Sequence, residues 1–511
     1  MNNTMKTLGC MLLGIAACGN PQSNTGEGEA NLSPIEETIL NDKENFYYID
    51  FASYKNDDAS LPIGVFDSGT GGLTVLDALV RYDEHQNQAG GDGADEQPDF
   101  STEKFIYLAD QANMPYGNYY AEGKSDLLLE HIIKDTQFML GSRYYENAQA
   151  KSPKNDKQHI KALVIACNTA TAYGQEHIDA FIEKTGLDIP VIGVINAGSR
   201  GTLKQFAQDE DGSIAVFATV GTIASKGYEN TLLEMKKELG YTGDIQIYNQ
   251  GGHGVAEAVD EEPDFIDRKA VAPRDDYRGP SLKSDEYKID RTLMDVYNFD
   301  FDHNKMLCDS ENTDDCEIMQ INSADNYIRY HLVSIMEKIR KAPNAQPLKA
   351  LVLGCTHYPY LVSDIKQVFK ELYNYKKDGK YIYRDLMAEN INIVDPAVYV
   401  AKELYDALGE KSLFNKNASM DQSEFFISVP NVDNENTKLD GPGRFTYDYK
   451  YGRNAGEIQE YVKVVPFSKE NIPDDIISRL RTSIPETFKL IQAFDADGDK
   501  VASLSEEDRI Q

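Results

Sequence analysis

Short apolar runs that stop abruptly at polar or glycine-rich turns recur along this chain. Ala162-Leu-Val-Ile-Ala166 is the clearest, breaking into Cys167, Asn168 and Thr169. Unbroken apolar runs of this length predict strands buried on both faces, as in a parallel sheet. The same reading applies to Pro62–Phe66, which runs into the turn Asp67-Ser-Gly-Thr-Gly-Gly72 and a helical stretch Leu73–Val80. Phe105–Asp110 is a further strand, leading to Asn113-Met-Pro-Tyr-Gly117. Later, Ile214-Ala-Val-Phe-Ala218 and Ala350-Leu-Val-Leu-Gly354 repeat the design, the second ending in Cys355, Thr356 and His357. Ala324–Lys341 has the spacing of an amphipathic helix.

The runs pair across the chain. Ile63–Gly72 and Ile214–Thr222 are both strand-to-turn segments, and each precedes a strand that ends in cysteine. This echo predicts an α/β protein of two pseudo-symmetric parallel-sheet lobes with the site in the cleft between them. Ligands of open α/β sheets collect at the carboxyl ends of strands, where Cys167 and Cys355 both fall. A solitary free cysteine most often behaves as a small buried hydrophobe. Two at equivalent places, each followed by polar residues, point instead to one thiol on either side of a bound molecule. The turn after Phe66 is not a phosphate loop, since no Gly-Lys-Ser/Thr follows, and Asp67 has helix capping as its ordinary role.

The chain has 511 residues, enough for more than one core. Its 51 basic and 84 acidic residues leave a net charge of −33, which argues against nucleic acid or an anionic membrane surface as partner. Residues 1–18 read as a targeting segment: Lys6, a short apolar run, then small residues before a cysteine. Ile15-Ala-Ala-Cys18 resembles a bacterial lipobox, which implies lipid attachment at Cys18 and a place in the cell envelope, membrane-held by the lipid alone; the alternative is a cytoplasmic protein with a chance apolar start. Residues 19–60 are polar and predict a flexible tether, with Phe46, Tyr47, Tyr48 and Phe51 as a cluster able to dock. Lobe 1 is expected over 61–195, completed by about 365–430, and lobe 2 over 196–364.

Two segments lie outside this plan. An acidic insertion at about 262–325 carries Cys308 and Cys316, eight apart, which an oxidising compartment would join as a disulfide. A C-terminal extension, 431–511, suggests a strand at Val462–Phe467 and a helix at Asp474–Phe494. It ends in an EF-hand-like spacing, with Asp495, Asp497, Asp499, Val501 and Glu506 as calcium ligands, although Lys500 stands where glycine is usual.

The blocks Phe66–Val75, Asp110–Gly117, Ala166-Cys-Asn-Thr-Ala170, Pro190-Val-Ile-Gly-Val194 and Gly354-Cys-Thr-His-Tyr-Pro359 resemble, in order, the signature blocks of glutamate racemase, over about residues 61–400. The resemblance implies interconversion of L- and D-glutamate without a cofactor. It places Cys167 and Cys355 as acid/base thiols, with Asp67 and His357 assisting them. Ser68, Asn168, Thr169, Thr222 and Thr356 are then substrate contacts, and Pro115, Tyr116 and Gly117 line the pocket. The Cys-Thr-His form favours glutamate over aspartate, and the usual assembly would be a homodimer. One departure concerns the family's acidic residue before the second cysteine strand, whose nearest counterpart is Asp260 or the adjacent Glu261. Aspartate racemisation, another reaction of the superfamily, and non-catalytic amino-acid binding at the cell surface are the alternative readings.

Overall fold

Parallel strands need crossovers, and here helices supply them, covering both faces of two sheets. The computed structural model describes residues 32–510 except 56, 88–90 and 442. The expectation of lipidation at Cys18 lies outside the described residues.

The first sheet begins with β1 (Ile63–Asp67), β2 (Phe105–Ala109), β3 (Ala162–Ile165) and β4 (Val191–Gly193). The second contains β5 (Gly212–Ala218) and β6 (Ile245–Gly251), followed by a separate hairpin, β7 (Met306–Cys308) and β8 (Met319–Ile321). Then come β9 (Leu348–Gly354), a small hairpin of β10 (Lys376–Lys377) and β11 (Lys380–Tyr381), and β12 (Met387–Val394). The chain returns to the first sheet with β13 (Glu424–Pro430) and β14 (Val462–Pro466). The spatial orders are β14-β13-β2-β1-β3-β4 and β12-β9-β5-β6. All neighbours in both sheets are parallel except β13 and β14. Every residue of β1, β2, β3 and β5 is buried. In register, Ala218 of β5 lies beside Gly354 of β9, so Thr219 and Cys355 leave the second sheet at the same edge.

Three boundaries differ from the sequence expectation. Residues 32–60 are docked rather than free: Ser33 caps the helix Pro34–Asn41 in a capping box with Glu36. Ile35 and Ile39, one turn apart, bury against the first lobe together with Tyr47, Ile49 and Tyr54, and the Tyr54 hydroxyl donates to Ile160 O at 2.8 Å. The aromatic cluster docks in part as the sequence suggested, with Tyr47 buried and Phe46 and Phe51 packed against the same core, whereas the average polarity of the segment hid Ile35 and Ile39. Lobe 2 extends beyond 364, because β12 pairs with β9 in its sheet. The region after 431 is no appendage. Its β14 adds to the first sheet, and Phe467, Ile477, Leu480, Phe488 and Phe494 share the core of Val65 and Tyr107. The helix expected over Asp474–Phe494 is two helices, Asp474–Ser483 and Pro485–Asp497; a proline lacks the N–H and clashes with the preceding turn.

Cys308 and Cys316 are joined by a disulfide, with Cα atoms 5.7 Å apart, at the end of the β7–β8 hairpin. The calcium ligands do not converge among the described residues. Asp495 lies in the last turns of a helix, buried, and its carboxylate accepts the backbone N–H of Ile510. Val501 is buried in the first core, and Asp495, Asp499 and Glu506 share no common ligand shell. The Asp497 side chain is outside the described residues. Helix formation through Asp497 is what withdraws Asp495, since an EF-hand loop needs irregular backbone from its first position.

Candidate active site

Cys167 stands two residues beyond the end of β3, as the N-cap of the helix Asn168–Thr185, where its sulfur accepts the N–H of Ala170 at 3.4 Å. The positive end of an 18-residue helix favours negative charge at that point. Ser68 Oγ lies 3.7 Å from the same sulfur. Asp67, the last residue of β1, accepts the N–H of Gly72 on Oδ2 at 2.8 Å, and its buried carboxyl faces the Cys167 thiol. Burial, and then the charge of Asp67, push the Cys167 thiol well above its ordinary pKa. Burial likewise raises Asp67, against the pull of His357 and the Gly72 N–H.

Cys355 follows directly on β9. Its sulfur lies 3.7 Å from His357 Nδ1, and His357 Nε2 is 2.9 Å from Asp260 Oδ2. Asp260 closes the short helix Val255–Val259. Burial opposes charge on His357, but the Asp260 carboxylate and the Cys355 sulfur together hold its pKa well above the usual value. Burial also works against ionised Asp260, and His357 and Arg479 overcome it, bringing the carboxyl down to about 2.

Both thiols are free, both are buried to within a few per cent, and both line one cavity of about 310 Å³ between the lobes. Asp67, Ser68, Pro115, Tyr116, Gly117, Asn168, Thr169, Asp260, Thr356 and His357 share that wall, as the sequence reading expected. Thr222 does not. It is buried behind the wall, its hydroxyl 3.1 Å from that of Thr169 and 2.9 Å from that of Thr219, and Thr219 takes its place at the cavity. The reason is local: Thr219 is the N-cap of the helix Val220–Ser225, so the third residue on turns inward.

The lobes meet closely enough to require glycine. A Cβ on Gly71 would lie 2.6 Å from both Thr356 Oγ1 and His357 Cε1, and one on Gly221 would lie 2.7 Å from the backbone of Gly117. Across the same seam the Tyr228 hydroxyl donates to Asn168 Oδ1 at 2.6 Å, which leaves the Asn168 NH2 directed away from Tyr228 for another acceptor.

Tyr116 is held from behind. Its hydroxyl is 2.6 Å from Asp110 Oδ2 and 2.6 Å from Asp135 Oδ2, yet it has one proton to give. Asn113 and Ser428 also donate to Asp110, so Asp135 is the carboxyl that keeps its own proton. Burial, then the charge of Asp110, push Asp135 well above the carboxylate range. Asp135→Asn should therefore change stability by less than about 1 kcal/mol, while Asp110→Asn should cost roughly 2 kcal/mol by stranding buried donors. Urea denaturation of both variants checks this, and equal losses would refute the assignment.

The residues that sequence reasoning missed come from unexpected segments. Glu257 lines the cavity one turn before Asp260, a spacing visible in the sequence. Glu286 and Tyr287 reach it from the acidic insertion, and Arg479 touches Asp260 from the C-terminal region; nothing in the sequence marks these three. Glu262, also on the wall, is pushed up to about 7 by burial and by the charges of Glu257 and Asp260.

No family model matches the chain. It is 26% identical over 366 residues to the glutamate racemase of Oceanobacillus iheyensis, covering 72% of this chain and 86% of that one. It is also 26% identical over 369 residues to the glutamate racemase of Thermoanaerobacter pseudethanolicus, covering 72% and 88%. Among solved structures, a glutamate racemase isoform of Bacillus anthracis aligns at 22% identity and a TM-score of 0.40, covering 71% of this chain and 86% of that one. The glutamate racemase of Francisella tularensis, in complex with D-glutamate, aligns at 19% and 0.39, covering 78% and 95%. By sequence, then, the chain is similar to the glutamate racemases over most of their length.

Proposed function

We propose that the protein interconverts L- and D-glutamate by direct proton transfer between two thiols, without a cofactor. The observation that carries this reading is the pair of free cysteines at equivalent strand ends lining one cavity, each beside its own proton partner. Inversion requires the α-proton to leave one face and another to arrive at the opposite face. A single base tends to return the proton to the face it came from, so a base and an acid must flank the carbon.

In one direction the Cys355 thiolate, paired with the His357 imidazolium, takes the α-proton and becomes a thiol, while the Cys167 thiol protonates the other face and becomes a thiolate; the reverse direction starts from that state with the roles exchanged. Asp67 serves Cys167 as the His357–Asp260 pair serves Cys355. The α-proton is weakly acidic, so charge developing towards the substrate carboxylate needs preorganised donors. The N-terminus of the helix Asn168–Thr185 and the Asn168 amide supply them. Glu257, Glu262 and Glu286 line the same cavity and, when ionised, favour the substrate ammonium over its carboxylates.

The same proposal places the protein in the cell envelope, held by lipid on Cys18. The Cys308–Cys316 disulfide supports an oxidising compartment. A homodimer remains part of the sequence reading, to be tested by sedimentation.

Incubation with L-glutamate in deuterated water tests the reaction. Incorporation of α-deuterium with decay of optical rotation is the expected result; an inert L-glutamate with exchange of L-aspartate would reassign the substrate, and no exchange with either would overturn the reading.

A further inference from the structure

We propose that Arg479 is a positioning residue for the Cys355 side of the cleft: it pins Asp260 against His357 and fastens the C-terminal region to the wall of the second lobe. The inference rests on the racemase reading.

The helix Asp474–Ser483 buries Ile477 and Leu480 in the first-lobe core. Arg479, between them, reaches the other way. Its Nη1 donates to Val259 O at 2.7 Å and lies 2.7 Å from Asp260 Oδ1, across 220 residues of chain from Val259. Asp260 Oδ2 faces His357, whose far nitrogen faces the Cys355 sulfur. The four groups thus form one line: guanidinium, carboxylate, imidazole, thiol. The side chains of Arg479, Asp260 and His357 are 18%, 12% and 9% exposed, so their charges interact through protein more than through water.

The geometry explains what the arginine adds. A carboxylate bonded through one oxygen can swing about its Cβ–Cγ bond; holding the second oxygen removes that freedom. With Oδ2 fixed, the Nε2 proton of the His357 imidazolium is held by Asp260, and the Nδ1 proton is left to pair with Cys355. Arg479 also offsets acidic charge. The titratable groups around His357 are Asp67, Glu257, Asp260 and Cys355. Without the guanidinium these would hold the imidazolium more tightly, and the ring would give up its proton at higher pH.

The test is nitrogen NMR of histidine-labelled protein, with the His357 signal assigned by its loss in His357→Asn, alongside α-deuterium exchange from L-glutamate. Arg479→Met and Arg479→Gln should each raise the midpoint of the His357 titration and slow exchange by about 10- to 100-fold, the cost of a misplaced catalytic group. Arg479→Lys should restore the midpoint and recover only part of the rate, because the ammonium sits on a shorter, more flexible stem and holds the carboxylate less firmly. Asp260→Asn should move the midpoint down. An unchanged His357 midpoint in either neutral variant overturns the inference, even if activity falls; so does a lysine variant with the neutral variants' midpoint. Absence of exchange in the unaltered protein would instead overturn the racemase reading, with the titration still deciding the role of Arg479.

Discussion

Cys167→Ala and Cys355→Ala are each expected to lower the rate of L-glutamate racemisation by at least about 10³-fold, with the fold intact. Positioned acid/base groups contribute about 10²- to 10⁴-fold each, and in an inversion neither thiol can be bypassed, because the two act on opposite faces of one carbon. Their neighbours cannot stand in. Asp67 is anchored to the Gly72 N–H, and His357 is anchored to Asp260, each set back behind its sulfur. Because the two groups work as one unit, the double variant should be no worse than the poorer single one. The expected effect on stability is small, since each cysteine is a free thiol whose removal empties little volume. Polarimetry on folded variants, with circular dichroism as the control, measures both. A single alanine variant that keeps a tenth of the activity would eliminate the two-thiol mechanism.

Breaking the Lys161–Glu103 pair should be the most damaging single change to stability, at about 3–5 kcal/mol. Both side chains are fully inaccessible to solvent, with Lys161 Nζ 2.6 Å from Glu103 Oε2. The ammonium also donates to Ala59 O and Leu413 O, each at 2.8 Å, and Glu103 Oε1 accepts the N–H of Asn415 at 2.7 Å. Four segments are thereby tied together just before β2 and β3 begin, at the edge of the first sheet opposite the thiols. Lys161→Met leaves a carboxylate without its counter-ion in a place water does not reach, and Glu103→Leu does the same to the ammonium. Replacing both by apolar residues removes the stranded charge, so the double variant should recover most of the loss. Guanidinium denaturation of the three variants forms the cycle. Single losses below about 1 kcal/mol would show that the pair is not the tie described. The activity of the folded fraction should be unchanged, because the tie lies at the far end of the strands.

The central strands of the two sheets, β1, β2, β3, β5 and β9, were legible because parallel strands buried on both faces must be apolar throughout, and such runs stand out against a strongly acidic chain. The thiols were legible for a related reason: each stands just past the carboxyl end of a strand in its own parallel sheet, the edge where such sheets hold ligands, so Cys167 and Cys355 could be placed without coordinates. His357, two residues beyond Cys355, came with them. Asp260 was visible only as a loose match, since its role depends on a short helix aiming it at His357. The tether was misread because composition averages over a segment, whereas docking needs only a few apolar side chains at the right spacing, such as Ile35 and Ile39.

Taken alone, the amino-acid sequence determined which segments must be buried, where the paired strands end and which reactive side chains stand at those ends, because these follow from local periodicity and from the geometry of parallel sheets. Tertiary structure alone decided that Thr219 rather than Thr222 meets the cavity, that Glu286 and Tyr287 complete its wall, that Asp495 is spent on the backbone of Ile510, and that Arg479 reaches Asp260. Each of these is a contact between segments far apart in the chain or a choice made by a helix cap. Their free energies come from proximity and exclusion of water, which no local pattern of residues encodes.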